Sequence, residues 1–213
     1  MKTDDLITML AQDAAPTPAA PLARRTGYGL AAGFAVALGL FLAVLGPRPG
    51  LGGLMLDPVV LAKTLLPLAL FALALRLGLR SVRPGSTPGR TAWVIWAVPA
   101  LTAALFVWAF AVTPAETRMV DFLGHSIPVC LPAINLMSLP ILAGLIAALR
   151  RGAPVDPQKA GALAGLAAAG LATALYSTFC TEDSPLFYSV WYSVGIAITT
   201  ALGAVAGSRW LRW

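Results

Sequence analysis

The chain has 213 residues, of which 58% are hydrophobic and only 11% are charged, and its formal net charge is +6. A soluble domain carries roughly a quarter of charged residues, so this composition cannot cover a surface that faces water. Together with a mean hydropathy of +0.80, it excludes an ordinary soluble domain and indicates an integral membrane protein.

The first twelve residues, MKTDDLITMLAQ, have the pattern of a short amphipathic helix. Thr3 is a candidate cap, and Asp4 and Asp5 would lie in the first turn, where carboxylates are favourable. One face of this helix would carry the apolar side chains of Leu6, Ile7, Met9 and Leu10. The stretch DAAPTPAAPLARR follows and is predicted to be a proline-spaced tether to the membrane.

A helix of this length is unstable in water alone, so we predict that the N-terminal segment folds in the groove of a cytoplasmic partner. Two alternatives remain open, a frayed tail and a helix that lies on the inner leaflet. The pair of aspartates argues against the second alternative, because inner leaflets are anionic.

Six apolar runs follow, each near the roughly 20 residues that cross a bilayer. They cover residues 27–46, 58–75, 92–112, 127–149, 161–178 and 187–208. Lipid offers no partner to backbone polar groups, so each run is predicted to be helical. We therefore expect an all-α polytopic membrane protein, with a bundle of six transmembrane helices over residues 26–213. Residues 1–25 would form the N-terminal segment and its tether. The first run is too long and too late for the core of a signal peptide.

Basic residues are distributed unequally between the two sides of such a bundle. Six spans put both termini and two loops on one side, and the other side carries only Arg48 and Arg118, while Lys63 lies within the second run. Basic loops stay in the cytoplasm. Both termini are therefore predicted to be cytoplasmic. The same bias explains the positive net charge without a nucleic-acid partner.

The two cysteines, Cys130 and Cys180, are predicted to lie at the same outer surface. Cys130 opens the fourth run and Cys180 follows the fifth, and the short loop between these runs makes them neighbours in space. In a bacterium this side is the oxidising periplasm, where disulfides persist. The chain has no CxxC motif, which argues against thioredoxin-like chemistry.

The two thiols are expected to differ in reactivity. Ser126 and Pro128 resemble a helix start, so Cys130 would lie at the positive end of a helix dipole, which favours the thiolate. Cys180 would lie at the negative end of its helix and is followed by two acids. We therefore predict that Cys130 attacks and that Cys180 resolves.

The residues near the two cysteines are compatible with other functions of this outer surface. A metal site could be assembled from sulfur, nitrogen and oxygen donors, the candidates being Cys130, Cys180, His125, Glu182 and Asp183. A static disulfide and simple packing of two small side chains are the alternatives. No resident cofactor is expected. Aromatic residues near the outer ends of the runs are assigned to the interfacial belt; they include Tyr176, Tyr188, Trp191 and Tyr192.

Other features concern packing. Three pairs of glycines four residues apart would allow close helix contacts and a possible homodimer: Gly29 and Gly33, Gly161 and Gly165, and Gly203 and Gly207. Lys63 is expected to extend its stem to the outer surface. The fourth run contains Pro128, Pro132 and Pro140 and is the best candidate for a moving part, with Asn135 as a polar contact.

Several stretches together resemble the NrsF family, whose name stands for negative regulator of sigma F. They are the start MKTDDLI, the long segment from CLPAINLMSLP through RRGAP to VWY, which includes both cysteines, and the closing SRWLRW. The resemblance implies a proteobacterial inner-membrane anti-sigma factor, which is not an enzyme. A small metal or solute transporter and a membrane thiol oxidoreductase are the alternatives.

The resemblance also implies roles for particular residues. The N-terminal segment would hold an extracytoplasmic-function sigma factor at the membrane, with Asp5, Leu6, Ile7, Met9 and Leu10 as the contact residues. Cys130 and Cys180 would sense heavy-metal or oxidative stress and trigger release. Ile127 stands three residues before the first cysteine, where the resemblance would place a tryptophan.

Overall fold

The structure is a computed structural model that describes residues 3–13, 20–54, 56–82 and 89–212. Within these ranges all regular elements are helices. In chain order they are α1 (Thr3–Asp13), α2 (Ala20–Val44), α3 (Leu51–Leu54), α4 (Pro58–Ser81), α5 (Thr91–Val94), α6 (Ala97–Val112), α7 (Ala115–Leu123), α8 (Ile127–Leu149), α9 (Pro157–Ser177) and α10 (Pro185–Trp210). Among the described residues, six helical segments are long and apolar enough to cross a membrane. The predicted all-α fold with six such helices is confirmed.

Two differences from the predicted elements concern the segments outside the apolar runs. Helix α2 begins at Ala20, so the last part of the predicted tether is helical, while residues 14–19 lie outside the described residues. Helix α7 was not predicted, because its sequence is too polar to stand out by hydropathy. It lies against α10, where the indole Nε1 of Trp191 donates to the carbonyl of Phe122 at 2.9 Å.

Three of the long helices begin at a polar residue followed by proline. The side chains of Asp57, Asp156 and Ser184 accept backbone N–H groups of the first turns of α4, α9 and α10, at 2.7, 3.0 and 3.3 Å. The proline that follows has no N–H to satisfy, and its ring favours helical φ. Helices α9 and α10 therefore start four and two residues before the apolar runs predicted for them.

Helix α9 lies at the centre of the bundle and packs against α4, α8 and α10. Its sequence is rich in alanine and glycine, and 72% of its apolar window is buried. A Cβ atom at Gly161 would overlap the carbonyl oxygen of Gly203 in α10. Gly29 of α2 and Gly144 of α8 meet in the same way. The glycine pairs thus serve contacts within the chain, and the possible homodimer stays a prediction.

Helix α8 stays continuous from Ile127 to Leu149 although Pro132 and Pro140 lie inside it. Asn135 makes the predicted polar contact: its Oδ1 accepts from the hydroxyl of Thr199 in α10 at 2.9 Å. Prolines are tolerated in such helices when neighbouring helices support the freed backbone groups. The fourth run is therefore a complete helix tied to α10.

Candidate functional site at the two cysteines

The two cysteines lie at one end of the bundle, formed by the start of α8, the end of α9 and the loop 178–184. We call this the thiol end. Cys130 and Cys180 are both free thiols, with exposures of 0% and 1%, and are near enough to interact electrostatically. Because both cysteines are buried, the predicted attack by Cys130 on an external reagent requires the residues around it to move first.

Aromatic rings cover the thiols. The rings of Tyr176 and Tyr192 meet edge to face, with centroids 6.0 Å apart, and Tyr188 follows at 6.2 Å from Tyr192. The hydroxyls of Tyr176 and Tyr192 both interact electrostatically with both cysteines. Buried hydroxyls normally have a polar partner, and the nearby thiols supply such partners to these two groups.

The assignment of these tyrosines to the interfacial belt is wrong, because Tyr176, Tyr188 and Tyr192 are buried. They lie on α9 and α10, which pack against each other along their length. Spacing offered a signal that was missed. Tyr188 precedes Tyr192 by four residues, so the two share one side of α10. Cys180 follows Tyr176 by four residues just past the end of α9, and its backbone N–H donates to the carbonyl of Tyr176 at 3.1 Å.

Two basic residues, Arg48 and Lys63, bind Asp183 in the loop that carries Cys180. We call these three charged residues the Asp183 clamp. The guanidinium of Arg48 binds the Asp183 carboxylate through two hydrogen bonds of 3.0 and 3.1 Å. The Nζ of Lys63 donates to the same carboxylate at 2.6 Å and to the carbonyl of Cys180 at 2.7 Å. The backbone N–H of Arg48 donates to the carbonyl of Thr178 at 3.0 Å. Charge-assisted bonds of this kind are strong and specific in geometry.

The clamp corrects the expectation for Lys63. Its stem does reach the thiol end, but its side chain is buried and paired instead of extending to solvent. Partial burial opposes ionisation of Asp183, yet the hydrogen bonds from Arg48 and Lys63 outweigh it and hold the pKa of that carboxyl below its ordinary value. The carboxylate is therefore charged at neutral pH.

Glu182 ties the same loop to the start of α8. Its Oε1 accepts the backbone N–H of His125 at 2.8 Å and the hydroxyl of Ser126 at 3.2 Å. Ser126 stands at the predicted helix start, but its side chain does not cap the helix. The predicted cap is wrong in this respect, because a carboxylate from a distant part of the chain accepts a backbone N–H just before the helix.

The structure does not bring the five predicted metal donors together. In the part of the chain that the structure describes, no three side chains of His, Cys, Asp or Glu lie close enough to hold a metal ion. Glu182 and Asp183 are engaged as described, and the side chain of His125 is exposed. Of that set, Cys130 and Cys180 interact electrostatically with each other.

The N-terminal helix α1 has the predicted amphipathic form. It begins at Thr3 itself, with Asp4 and Asp5 in its first turn. The four apolar side chains of its predicted contact face are 43–63% exposed. The described residues therefore leave this apolar face uncovered.

The comparisons with known proteins agree with these features. A family described as "Negative regulator of sigma F" matches residues 10–213. The chain belongs to the NrsF family. "Anti-sigma-F factor NrsF" of Caulobacter vibrioides is 36% identical to it, and "Probable anti-sigma-F factor NrsF" of Azospira oryzae is 35% identical, each over the full length of both chains. No solved structure matches the chain.

The NrsF match covers both cysteines and the whole Asp183 clamp, and it begins within α1. The two NrsF relatives align with the entire chain, including the rest of α1. The expected family is thus confirmed. Sequence reasoning missed Arg48 and the partnership of Lys63 with Asp183, although Lys63 is the only charged residue within the apolar run 58–75.

Proposed function

We propose that this chain is an anti-sigma factor of the inner membrane that holds an extracytoplasmic-function sigma factor through α1. Similarity over the full length to two anti-sigma-F factors carries this proposal. A membrane-bound inhibitor of this kind lowers transcription by keeping the sigma factor from its other partners. It is a regulator and not an enzyme.

The contact face of α1 supports the way in which the sigma factor would be held. Leu6, Ile7, Met9 and Leu10 form an exposed apolar stripe on a helix of 11 residues. A helix this short gains most of its stability from packing, and an apolar stripe of this kind suits a hydrophobic groove. Asp5, next to the stripe, would add a charged contact.

The buried thiol pair supports a trigger at the other end of the bundle. Hydrogen peroxide would oxidise Cys130 and Cys180: its O–O bond breaks, the S–S bond forms, and the two thiol protons leave with the two HO groups of the peroxide as two water molecules. A soft metal ion would instead displace the two thiol protons and bind both sulfurs. Either event draws the start of α8 and the end of α9 into a new geometry.

The Asp183 clamp supplies a route from the thiols to α1. Cys180 lies in the loop that binds Arg48, and Arg48 lies four residues after the end of α2. At its other end, α2 leads towards α1. A shift of the loop that carries Cys180 therefore changes the position of α2, and two arrangements of the bundle would differ in how well they present α1.

A pull-down from native membranes tests the function. The chain carries a tag at its C-terminus, and bound proteins are identified by mass spectrometry. We expect a sigma factor with the full chain, and its loss with the double variant Leu6→Asp and Leu10→Asp. The matched control is Thr8→Ala with Gln12→Ala, on the opposite face of α1, which should retain the sigma factor. Absence of a sigma factor from both the full chain and the control would overturn the proposal.

A transport function has less support. The buried charged residues that the structure describes, Arg48 and Lys63, both lie at the thiol end and both bind Asp183. Ion pathways use charged or polar groups along the depth of the membrane. The remaining buried polar side chains are hydroxyls.

A further inference from the structure

The side of α8 that faces away from the helix bundle has two shallow grooves, and one low ridge separates them. The first has a volume of about 580 Å³ and lies between α8 and α2, and the second, of about 410 Å³, lies between α8 and α10. Ala143 and Ala147 line both grooves. Their small side chains keep the ridge low, so the two grooves run side by side and are open to the lipid.

Both grooves end in arginines at the end of the bundle opposite the thiols. We call it the basic end. Arg25 and Arg151 line the first groove and Arg150 lines the second. All three are exposed, and none forms an ion pair with the described residues. Asp156, an acid at this end, is already paired with Lys159 at 2.9 Å.

An aromatic ring accompanies the arginines in each groove. Tyr28 lines the first groove and Trp210 lines the second, and both rings are exposed. Tyrosine and tryptophan favour the level of lipid headgroups. Each groove therefore combines an apolar channel for acyl chains with a basic and aromatic end for a phosphate.

We propose that the two grooves form one site for a diphosphatidylglycerol lipid, cardiolipin. This lipid has two phosphates joined by a glycerol, and each phosphate is also esterified to a diacylglycerol with two acyl chains. One phosphate would bind Arg25 and Arg151 and the other Arg150, with a pair of chains in each groove. Basic pockets between transmembrane helices are suited to such headgroups, and guanidinium groups bind phosphate through paired hydrogen bonds.

The site has a feature that membrane topology does not require. Arginines that only set orientation need a position near the end of a span, whereas Arg150 and Arg151 are consecutive and line different grooves on either side of one ridge. A lipid with a single phosphate would fill one groove only. Cardiolipin would bridge α2, α8 and α10 at the basic end, whether or not the chain holds a sigma factor.

Native mass spectrometry of the purified full chain in detergent tests the site, with cardiolipin and phosphatidylglycerol compared at equal phosphate concentration. We expect one cardiolipin per chain, bound about tenfold or more tightly than phosphatidylglycerol, a difference of about 1.4 kcal/mol. Arg150→Gln with Arg151→Gln should weaken cardiolipin binding at least about tenfold. The control, Arg76→Gln with Arg90→Gln, removes two exposed charges at the same end outside the grooves and should leave binding unchanged.

A second variant tests the grooves apart from the charges. Ala147→Phe raises the ridge that both grooves share, and we expect it to weaken cardiolipin binding while all three arginines remain. Equal binding of cardiolipin and phosphatidylglycerol would overturn the proposal. So would equal losses in the two arginine variants, or full affinity in Ala147→Phe. Gel filtration of each variant confirms that it is folded before lipid is added.

Discussion

Asp183 is the residue on which the contacts of the thiol end converge. Its carboxylate receives three hydrogen bonds, two from Arg48 and one from Lys63, although its own side chain is 33% exposed. Both basic side chains are almost fully buried. A buried cation without a partner is costly, so the two basic residues depend on this single carboxylate.

Replacing Asp183 by Asn is expected to destabilise the protein and to uncover the thiols. Breaking a fully buried ion pair costs about 3–5 kcal/mol, and the partial exposure of Asp183 reduces the expected loss to about 2 kcal/mol. Thermal unfolding in detergent measures the loss, and the rate of maleimide labelling reports access to Cys130 and Cys180. Glu116→Gln, which removes an exposed carboxylate at the same end, is the control and should change neither quantity.

The pH dependence of that loss follows from the lowered pKa of Asp183. A carboxyl with a lowered folded pKa stabilises the protein above its unfolded value of about 3.9, and this contribution disappears as pH falls through the folded value. The difference in Tm between the parent chain and Asp183→Asn should therefore be constant from about pH 7 to pH 5 and shrink below about pH 4. A difference that already shrinks between pH 7 and pH 5 would contradict this account.

The thiol pair is expected to be required for the response but not for holding the sigma factor. Cys130→Ser replaces the sulfur by a smaller hydroxyl that forms neither a disulfide nor a thiolate bond to a soft metal. We expect the variant to bind the sigma factor in unstressed cells and to lose induction by peroxide or cadmium, measured with a reporter of the sigma regulon. Cys180→Ser should behave alike. Unchanged induction in either variant would remove the thiol mechanism.

The thiol end also shows what could be predicted from single residues. Cys130 lies at the start of one span and Cys180 just after the end of the next, so both are at the same end of the bundle. The short loop between α8 and α9 makes these two spans neighbours, and both features are visible in the sequence. The contact of Lys63 with Asp183 joins residues 120 positions apart, and no local pattern encodes it. Tyr176 and Tyr192 were assigned to the interface because aromatic residues near span ends usually lie there; here neighbouring helices cover them.

At the level of helices, the contact of α9 with α10 depends on glycine. A larger residue at Gly161 would collide with the backbone of Gly203 and Gly207. Backbone atoms inside a packed helix pair cannot move to relieve such an overlap as the end of a flexible side chain can. We expect Gly161→Leu to cost at least about 3 kcal/mol, at the upper end of the usual cost of overpacking. Thermal unfolding and gel filtration in detergent measure the effect.

Gly39→Leu is the matched control for that substitution. Gly39 lies in α2 with no atom within 4 Å of a Cβ built on it, so leucine there would point into open space. The control should keep the unfolding temperature of the parent chain or raise it, because glycine is unfavourable inside a helix. A similar loss in both variants would contradict the importance of the contact between α9 and α10.

Helix boundaries were harder to predict than helix existence. Hydropathy marks the length that faces lipid, and it placed the starts of α9 and α10 at residues 161 and 187, whereas the helices begin at Pro157 and Pro185. The missing residues lie in the first turns, where Asp156 and Ser184 cap the helices. Helix α7 escaped prediction for the same reason, since its nine residues include Glu116, Arg118 and Asp121.

At the level of the whole molecule, the distribution of basic residues predicts which end faces the cytoplasm. We expect the basic end to be cytoplasmic and the thiol end to be periplasmic. In a chain that carries Cys130→Ser and Cys180→Ser, a cysteine placed at Glu116 should react with an impermeant maleimide in intact cells. A cysteine placed at the exposed Val155, in the loop between α8 and α9, should react only after lysis. The reverse pattern would contradict the predicted orientation.

The central position of α9 bears on how the chain enters the membrane. Its mean hydropathy of 1.4 is the lowest of the six spans, and the others range from 1.5 to 2.1. A segment so rich in alanine and glycine gains little from partitioning into lipid on its own, and in the finished bundle its neighbours cover most of it. We therefore expect α9 to enter the bilayer together with α8 or α10, as a helical hairpin released by the translocon. In a nascent chain that ends directly after α9, this helix should then remain in the channel of the translocon, because α10 is absent.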